Sequence, residues 1–120
     1  MVYKLYLPER PFNAIKNGTK EVEGRVPKSD EENIYKEMKP GDVIEFSLIG
    51  TNSKEKLLTE IVYISHYTSF REMLETETPQ RVLSSGGAIE EGVESYNSLN
   101  GYKDNVKRFG VYAIAIEPIK

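Results

Sequence analysis

The sequence predicts an α+β domain whose sheet curls into a small barrel or half-barrel with short helices packed around it. Alternating segments at the start, middle and end of the chain predict strands, and shorter stretches with helical spacing lie between them. The length of 120 residues suits one hydrophobic core better than two. We therefore expect residues 1 to 120 to form one domain.

The first two elements are a predicted strand and a predicted helix. Residues 2 to 7 alternate in character and are rich in β-branched and aromatic side chains, which favours a strand. Pro11 is typical of the first turn of a helix, and Gly18 is typical of a helix end. Phe12 and Ile15 lie one turn apart on its buried side. A helix therefore leads the chain to Gly18.

Residues 19 to 26 alternate again and predict an extended segment. Alternation places Glu21, Glu23 and Arg25 on one side of this segment. Lys20 lies on the other side. A curled strand or a bulge is needed before Lys20 meets the other charges.

The middle of the chain predicts a short helix followed by a hairpin. Ser29 and Glu32 have the spacing of a capping box, which indicates a helix start. Residues 42 to 49 and 56 to 66 predict two strands, and residues 50 to 53 supply turn-forming side chains between them.

The last third predicts two more helices and a central strand. Ser69 and Glu72 repeat the capping-box spacing, and residues 89 to 96 carry apolar side chains at helical intervals. Residues 84 to 87 form a connector between the two helices. Residues 109 to 116 are apolar on both faces, which predicts a strand in the middle of the sheet.

Composition limits the classes of function. There is no cysteine, which excludes disulfides and thiolate sites, and the N-terminus has no apolar run of signal-peptide length. We expect a cytoplasmic protein with no membrane contact and no cofactor. His66 is the one histidine, so we expect no metal site. A net charge of −3 indicates that any contact with nucleic acid is local.

The densest group of charges follows Gly18 and comprises Lys20, Glu21, Glu23 and Arg25. Such a group is typical of a solvated edge strand, where charged side chains oppose aggregation. It is also typical of a binding site if the strand bends so that Lys20 meets Glu23. Opposite charges in a cleft keep each other ionised, and the Arg25 guanidinium suits a phosphate or a carbonyl.

Three motifs lie in order along nearly the whole chain: Gly18-x-Lys20-x-x-Glu23-x-Arg25, then Lys39-Pro40-Gly41-Asp42 opening a strand, and Gly110-Val111-Tyr112 in the last strand. Together they resemble the ASCH domain, a member of the PUA-like class of small β-barrels surrounded by helices. The resemblance implies a cleft beside the barrel, lined by residues 18 to 25, that receives single-stranded RNA or a modified nucleoside.

The resemblance also suggests roles for single residues. One branch of small bacterial ASCH proteins removes the acetyl group from N(4)-acetylcytidine with a lysine, a threonine and a glutamate. Lys20 matches that lysine, whereas Glu23 stands in the place of the threonine. Lys20 and Glu23 are the catalytic candidates on this basis. The ligand-binding candidates are Gly18, Glu21, Arg25 and, from the helical trio Glu90, Glu91 and Glu94, Glu91.

Three functions remain open at this point. The first is binding of RNA or a nucleoside. The second is amide hydrolysis, with Glu23 as a general base and Lys20 or Arg25 stabilising the oxyanion. The third is a protein-interaction module without catalysis. Side chains considered for base stacking or for steering RNA are Tyr35, Tyr67, Tyr102, Lys103, Lys107 and Arg108.

Overall fold

Five strands form one sheet that curls into a half-barrel, as the sequence predicts. The computed structural model describes residues 1–119. The sheet order is β1-β3-β4-β5-β2. β1 pairs with β3 in parallel, and the other neighbouring strands are antiparallel. The strands are β1 (Val2–Leu7), β2 (Val22–Arg25), β3 (Val43–Leu48), β4 (Lys56–Tyr67) and β5 (Val111–Pro118).

Short helices fill the connections between the strands. They are α1 (Glu9–Asn17), α2 (Phe70–Glu77), α3 (Pro79–Val82), α4 (Ile89–Ser98) and α5 (Tyr102–Phe109), with a 3₁₀ turn at Tyr35–Glu37. The Ser69 hydroxyl accepts a hydrogen bond from the Glu72 amide at 3.1 Å, as the capping spacing predicts. The sequence reasoning did not identify α3 or α5, which are short and polar.

β5 is an interior strand between β4 and β2, one place from the middle of the sheet, and both its faces are buried, as expected for the last strand. Ile114 and Ile116 face a core completed by α1 and the inside of the half-barrel. Ala113 and Ala115 face a second core formed with α2, α4 and α5. Small side chains on the alanine face allow the helices to pack close to the strand. On the opposite face, burial of each isoleucine contributes about 1.5–3 kcal/mol.

β1 and β2 are the two edges of the sheet, so the half-barrel is open between them. We call this opening the seam. The α1 helix follows β1 and delivers the chain to β2 across it. We call residues 20 to 25 the charged segment, and this segment lies at the seam.

Candidate functional site

A cleft with a volume of about 440 Å³ lies at the seam, and we call it the seam cleft. One wall comes from the end of β1 and the first turn of α1, and the floor comes from the charged segment. The opposite wall comes from the connector after α3 and from α4 and α5. Its main polar and aromatic lining residues are Tyr6, Arg10, Lys20, Glu23, Arg25, Ser84, Ser85, Tyr96 and Tyr102.

The backbone bends between α1 and β2, and this bend brings Lys20 to the floor. Gly18 ends α1 with φ +83°, a left-handed conformation that favours glycine. The amides of Thr19 and Lys20 both donate to the Ala14 carbonyl at 3.0 Å. Lys20 therefore precedes the regular strand, which begins at Val22. Strand alternation does not govern its direction, and its side chain reaches Glu23.

Lys20, Glu23 and Arg25 form a buried charge cluster on the floor of the seam cleft. One carboxylate oxygen of Glu23 lies 3.3 Å from the Lys20 ammonium, and the other accepts from Nε of Arg25 at 2.7 Å. Lys20 and Glu23 are only 4% and 7% exposed. Two cations and one anion leave a net charge of +1 where few water molecules screen it.

The Lys20 ammonium has three acceptors around it. Besides Glu23, it donates to the carbonyl of Val22 at 2.7 Å and to the carbonyl of Val82. An ammonium group has three hydrogens to donate, so these contacts satisfy it. Burial lowers the pKa of Lys20, and the charge of Glu23 opposes that effect.

The neighbouring charges keep the other two members of the cluster ionised. Burial alone would raise the pKa of Glu23, but the Arg25 guanidinium and the Lys20 ammonium outweigh it and hold that pKa below its ordinary value. For Arg25, burial acts to lower the pKa and the carboxylate of Glu23 more than reverses it, so the pKa is raised. Glu23 and Arg25 therefore form an ion pair at neutral pH.

Three aromatic rings form a wall beside the cluster, which we call the tyrosine wall. The rings of Phe70, Tyr96 and Tyr102 are nearly parallel, with centroids 5.0 Å apart between Phe70 and Tyr96 and 6.5 Å apart between Tyr96 and Tyr102. Gly24 lies under this wall. A Cβ atom there would come within 2.6 Å of the Tyr96 hydroxyl oxygen, so only glycine fits without displacement.

The six candidate residues separate into three places. Lys20, Glu23 and Arg25 meet in the seam cleft. Gly18 and Glu21 line a second, smaller cavity of about 220 Å³, where Glu21 pairs with Arg81 at 3.1 Å.

Glu91 lines neither cavity, because it lies in the first turn of α4 and accepts a hydrogen bond from the Ala88 amide at 3.2 Å. Glu90 pairs with Arg71, and Glu94 is also outside the seam cleft.

The other candidates are also spread over the molecule. Tyr102 lines the seam cleft, whereas Tyr35 does not and packs against Tyr112, with ring centroids 5.8 Å apart. The Tyr67 hydroxyl donates to Glu77 in the core. The His66 ring contacts the Phe109 carbonyl oxygen at 2.7 Å, in keeping with a structural role.

The sequence reasoning missed three residues of the seam cleft. Tyr6 is 61% exposed and presents an accessible ring at the cleft, and Arg10 adds a second guanidinium. Tyr96 was assigned only to the apolar side of its helix. An aromatic residue on the polar face of the first strand was the available signal for Tyr6.

No group of three or more histidine, aspartate or glutamate side chains within residues 1–119 is arranged to hold a metal ion. None of the helices described is long and apolar enough to cross a membrane.

Comparison with known proteins identifies the family. Residues 5–120 match the family model of the ASCH domain. The crystal structure of hypothetical protein PH0355 is 36% identical, with 99% of this chain and 100% of that chain aligned and a TM-score of 0.80. The NMR structure of protein PF0455 from Pyrococcus furiosus is also 36% identical, covers 100% and 99% of the two chains, and has a TM-score of 0.73.

No curated protein matches the chain. The family match spans nearly all of the chain, and the two solved structures have the same fold over their full lengths. The chain therefore belongs to the ASCH domain family.

Proposed function

We propose that this protein binds single-stranded RNA or a modified nucleoside in the seam cleft, as a cytoplasmic protein. The observation that carries the proposal is the buried Lys20, Glu23 and Arg25 cluster beside the tyrosine wall. A nucleobase has a flat apolar face and a polar edge. The cleft offers aromatic rings for the face and fixed charges for the edge.

The size of the cleft supports a single nucleoside unit. Its volume of about 440 Å³ lies within the range of roughly 300–1,000 Å³ that is usual for small-molecule sites. An intact duplex is too large for such a space. The ligand is therefore a free nucleoside or a base turned out of a single strand.

The polar groups at the rim suit the sugar and phosphate. Arg10 is exposed at the cleft, and Ser84 and Ser85 line the opposite wall with hydroxyl groups. Guanidinium and hydroxyl groups are common partners of phosphate and ribose oxygens. Arg10 also adds a positive charge to the net +1 of the buried cluster.

The test is a titration of the ¹⁵N-labelled protein with cytidine, acetylcytidine and a short single-stranded RNA. We expect amide shifts in residues 20 to 25 and 83 to 85, and a dissociation constant weakened about tenfold by Arg10→Ala. Lys4→Ala removes the same charge from an exposed position on β1 and serves as the control. Lys20→Ala and Arg25→Ala should weaken binding further where the variants remain folded.

Absence of shifts in these residues with all three ligands would overturn the proposal. Full tolerance of substitutions at Arg10, Lys20 and Arg25 would favour a protein-interaction module instead.

The lowered pKa of Lys20 supports a second candidate, hydrolysis of an acetylated cytidine or a related amide. It ranks second because the Lys20 ammonium already has three acceptors and because Glu23 replaces the threonine of the related hydrolases. Incubation with acetylcytidine distinguishes the two. Release of cytidine by the wild type and not by Lys20→Ala supports the hydrolase, and binding without release supports the binding protein.

A further inference from the structure

We propose that Glu77 and Arg81 are positioning residues that hold Lys20 in the floor of the seam cleft. Neither residue lines that cleft. They act through α3, whose last two carbonyl groups accept hydrogen bonds from the charged segment. The link from this device to ligand binding rests on the proposed function, whereas its effect on Lys20 does not.

α3 accepts two hydrogen bonds from the charged segment. The Glu21 amide donates to the Arg81 carbonyl at 2.8 Å, and the Lys20 ammonium donates to the Val82 carbonyl. Val82 is the last residue of a helix of only four residues. Such a short helix has little stability of its own, so its side chains must fix its position.

Arg81 fixes α3 from two directions. Its Nε donates to the carboxylate of Glu21 at 3.1 Å, which ties α3 to the charged segment. Its Nη1 donates to the Tyr63 hydroxyl at 2.9 Å and lies 3.4 Å from Glu77, which ties α3 to β4 and α2. One guanidinium therefore joins the segment before β2 to β4 and α2.

Glu77 is the buried anchor of this arrangement, with 5% exposure. Its carboxylate accepts hydrogen bonds from the hydroxyl groups of Tyr63 and Tyr67. Donors and a neighbouring cation offset the cost of burying a carboxylate, and Arg81 is that cation, with Nη1 3.4 Å from Glu77. Thr78, the residue between α2 and α3, has φ +76°, so the chain adopts a strained turn to bring these groups together.

Loss of Arg81 or of the Glu77 charge frees α3 to move away from the segment before β2. The Lys20 ammonium then loses the Val82 carbonyl and becomes open to solvent. The accessibility of the Lys20 amine is therefore a direct measure of the positioning effect. Lys20 is suited to this measurement because it is 4% exposed in the intact protein.

The experiment measures reductive methylation of the Lys20 amine with ¹³C-formaldehyde in the wild type, Arg81→Ala and Glu77→Gln. We expect the rate at Lys20 to rise about tenfold in both variants, the effect of losing one hydrogen bond to a charged group. Arg71→Ala removes an exposed arginine that is paired with Glu90, and it should leave the rate unchanged.

Amide hydrogen exchange of Ile114 in the core separates positioning from general destabilisation. Faster methylation with unchanged exchange at Ile114 supports the inference. Equal acceleration of both, or an unchanged methylation rate, overturns it. If the dissociation constant for RNA rises in the same variants in which the Lys20 methylation rate rises, the positioning effect contributes to binding. If the wild type binds no ligand, the proposed function fails, and the methylation rates still decide the positioning effect.

Discussion

The guanidinium of Arg25 on β2 donates through Nη2 to the carbonyl oxygen of Tyr6 on β1 at 2.9 Å and so joins the two edge strands of the sheet. The same guanidinium pairs with Glu23 through Nε. One side chain therefore contributes both to closure of the seam and to the charge of the cleft. Changes at Arg25 are expected to affect stability and binding together.

Replacement of Arg25 by lysine should lower the stability of the fold and weaken binding, although the charge is kept. A single ammonium group lacks the planar fork that serves Glu23 and Tyr6 at once. We expect a loss of about 1–3 kcal/mol in the free energy of unfolding, measured by urea denaturation. Arg10→Lys, at an exposed position of the same cleft, is the control and should change it by less than about 0.5 kcal/mol. Equal stability of the two variants would contradict the role assigned to Arg25.

Stability should fall in acid because of Glu23. Its pKa is below the ordinary value of 4.5 in the folded protein, so the unfolded chain binds more protons between the two values. The stabilisation from Glu23 is complete above pH 4.5 and disappears as the pH falls through the folded pKa. We expect Glu23→Gln to lose about 3–5 kcal/mol at neutral pH, since two cations remain buried, and to show a flatter acid dependence.

Thermal unfolding from pH 7 to pH 3 measures this difference. Glu31→Gln is the control, because Glu31 is an exposed carboxylate outside the charged segment. An acid dependence of Glu23→Gln as steep as that of the wild type would show that other carboxyl groups cause the effect.

Gly24→Ala should displace the tyrosine wall. The added methyl group would lie 2.6 Å from the Tyr96 hydroxyl oxygen and 3.0 Å from Cε of Met73. Overpacking of this kind destabilises by about 1–3 kcal/mol. Adding Tyr96→Phe removes the hydroxyl, and the double variant should recover part of the loss in a denaturation experiment. No recovery in the double variant would place the strain elsewhere.

The strands and the charged segment could be predicted from the sequence because they depend on local patterns. Alternation identified β1 and the hairpin of β3 and β4, and apolar residues on both faces identified β5 as an interior strand. The match of the first motif to residues 18 to 25 identified Lys20, Glu23 and Arg25, which the structure brings together.

The remaining features depend on contacts between distant residues, which no local pattern encodes. Alternation alone would separate Lys20 from Glu23, and they meet because backbone hydrogen bonds to Ala14 and Arg81 hold a bend before β2. The role of Arg81 depends on Tyr63, 18 positions away in sequence. Glu91 was selected from three helical glutamates by position, and its side chain serves the first turn of its own helix.

The pairing of β2 with β5 has a consequence for the timing of folding. Val22 lies opposite Ala115, so almost the whole chain separates the two partners. Contacts of such long separation form slowly because a large loop must close first. During synthesis on the ribosome, the segment of Lys20 to Arg25 is made early and remains without its neighbouring strand until β5 emerges. The seam cleft is therefore complete only when synthesis of the domain is nearly finished.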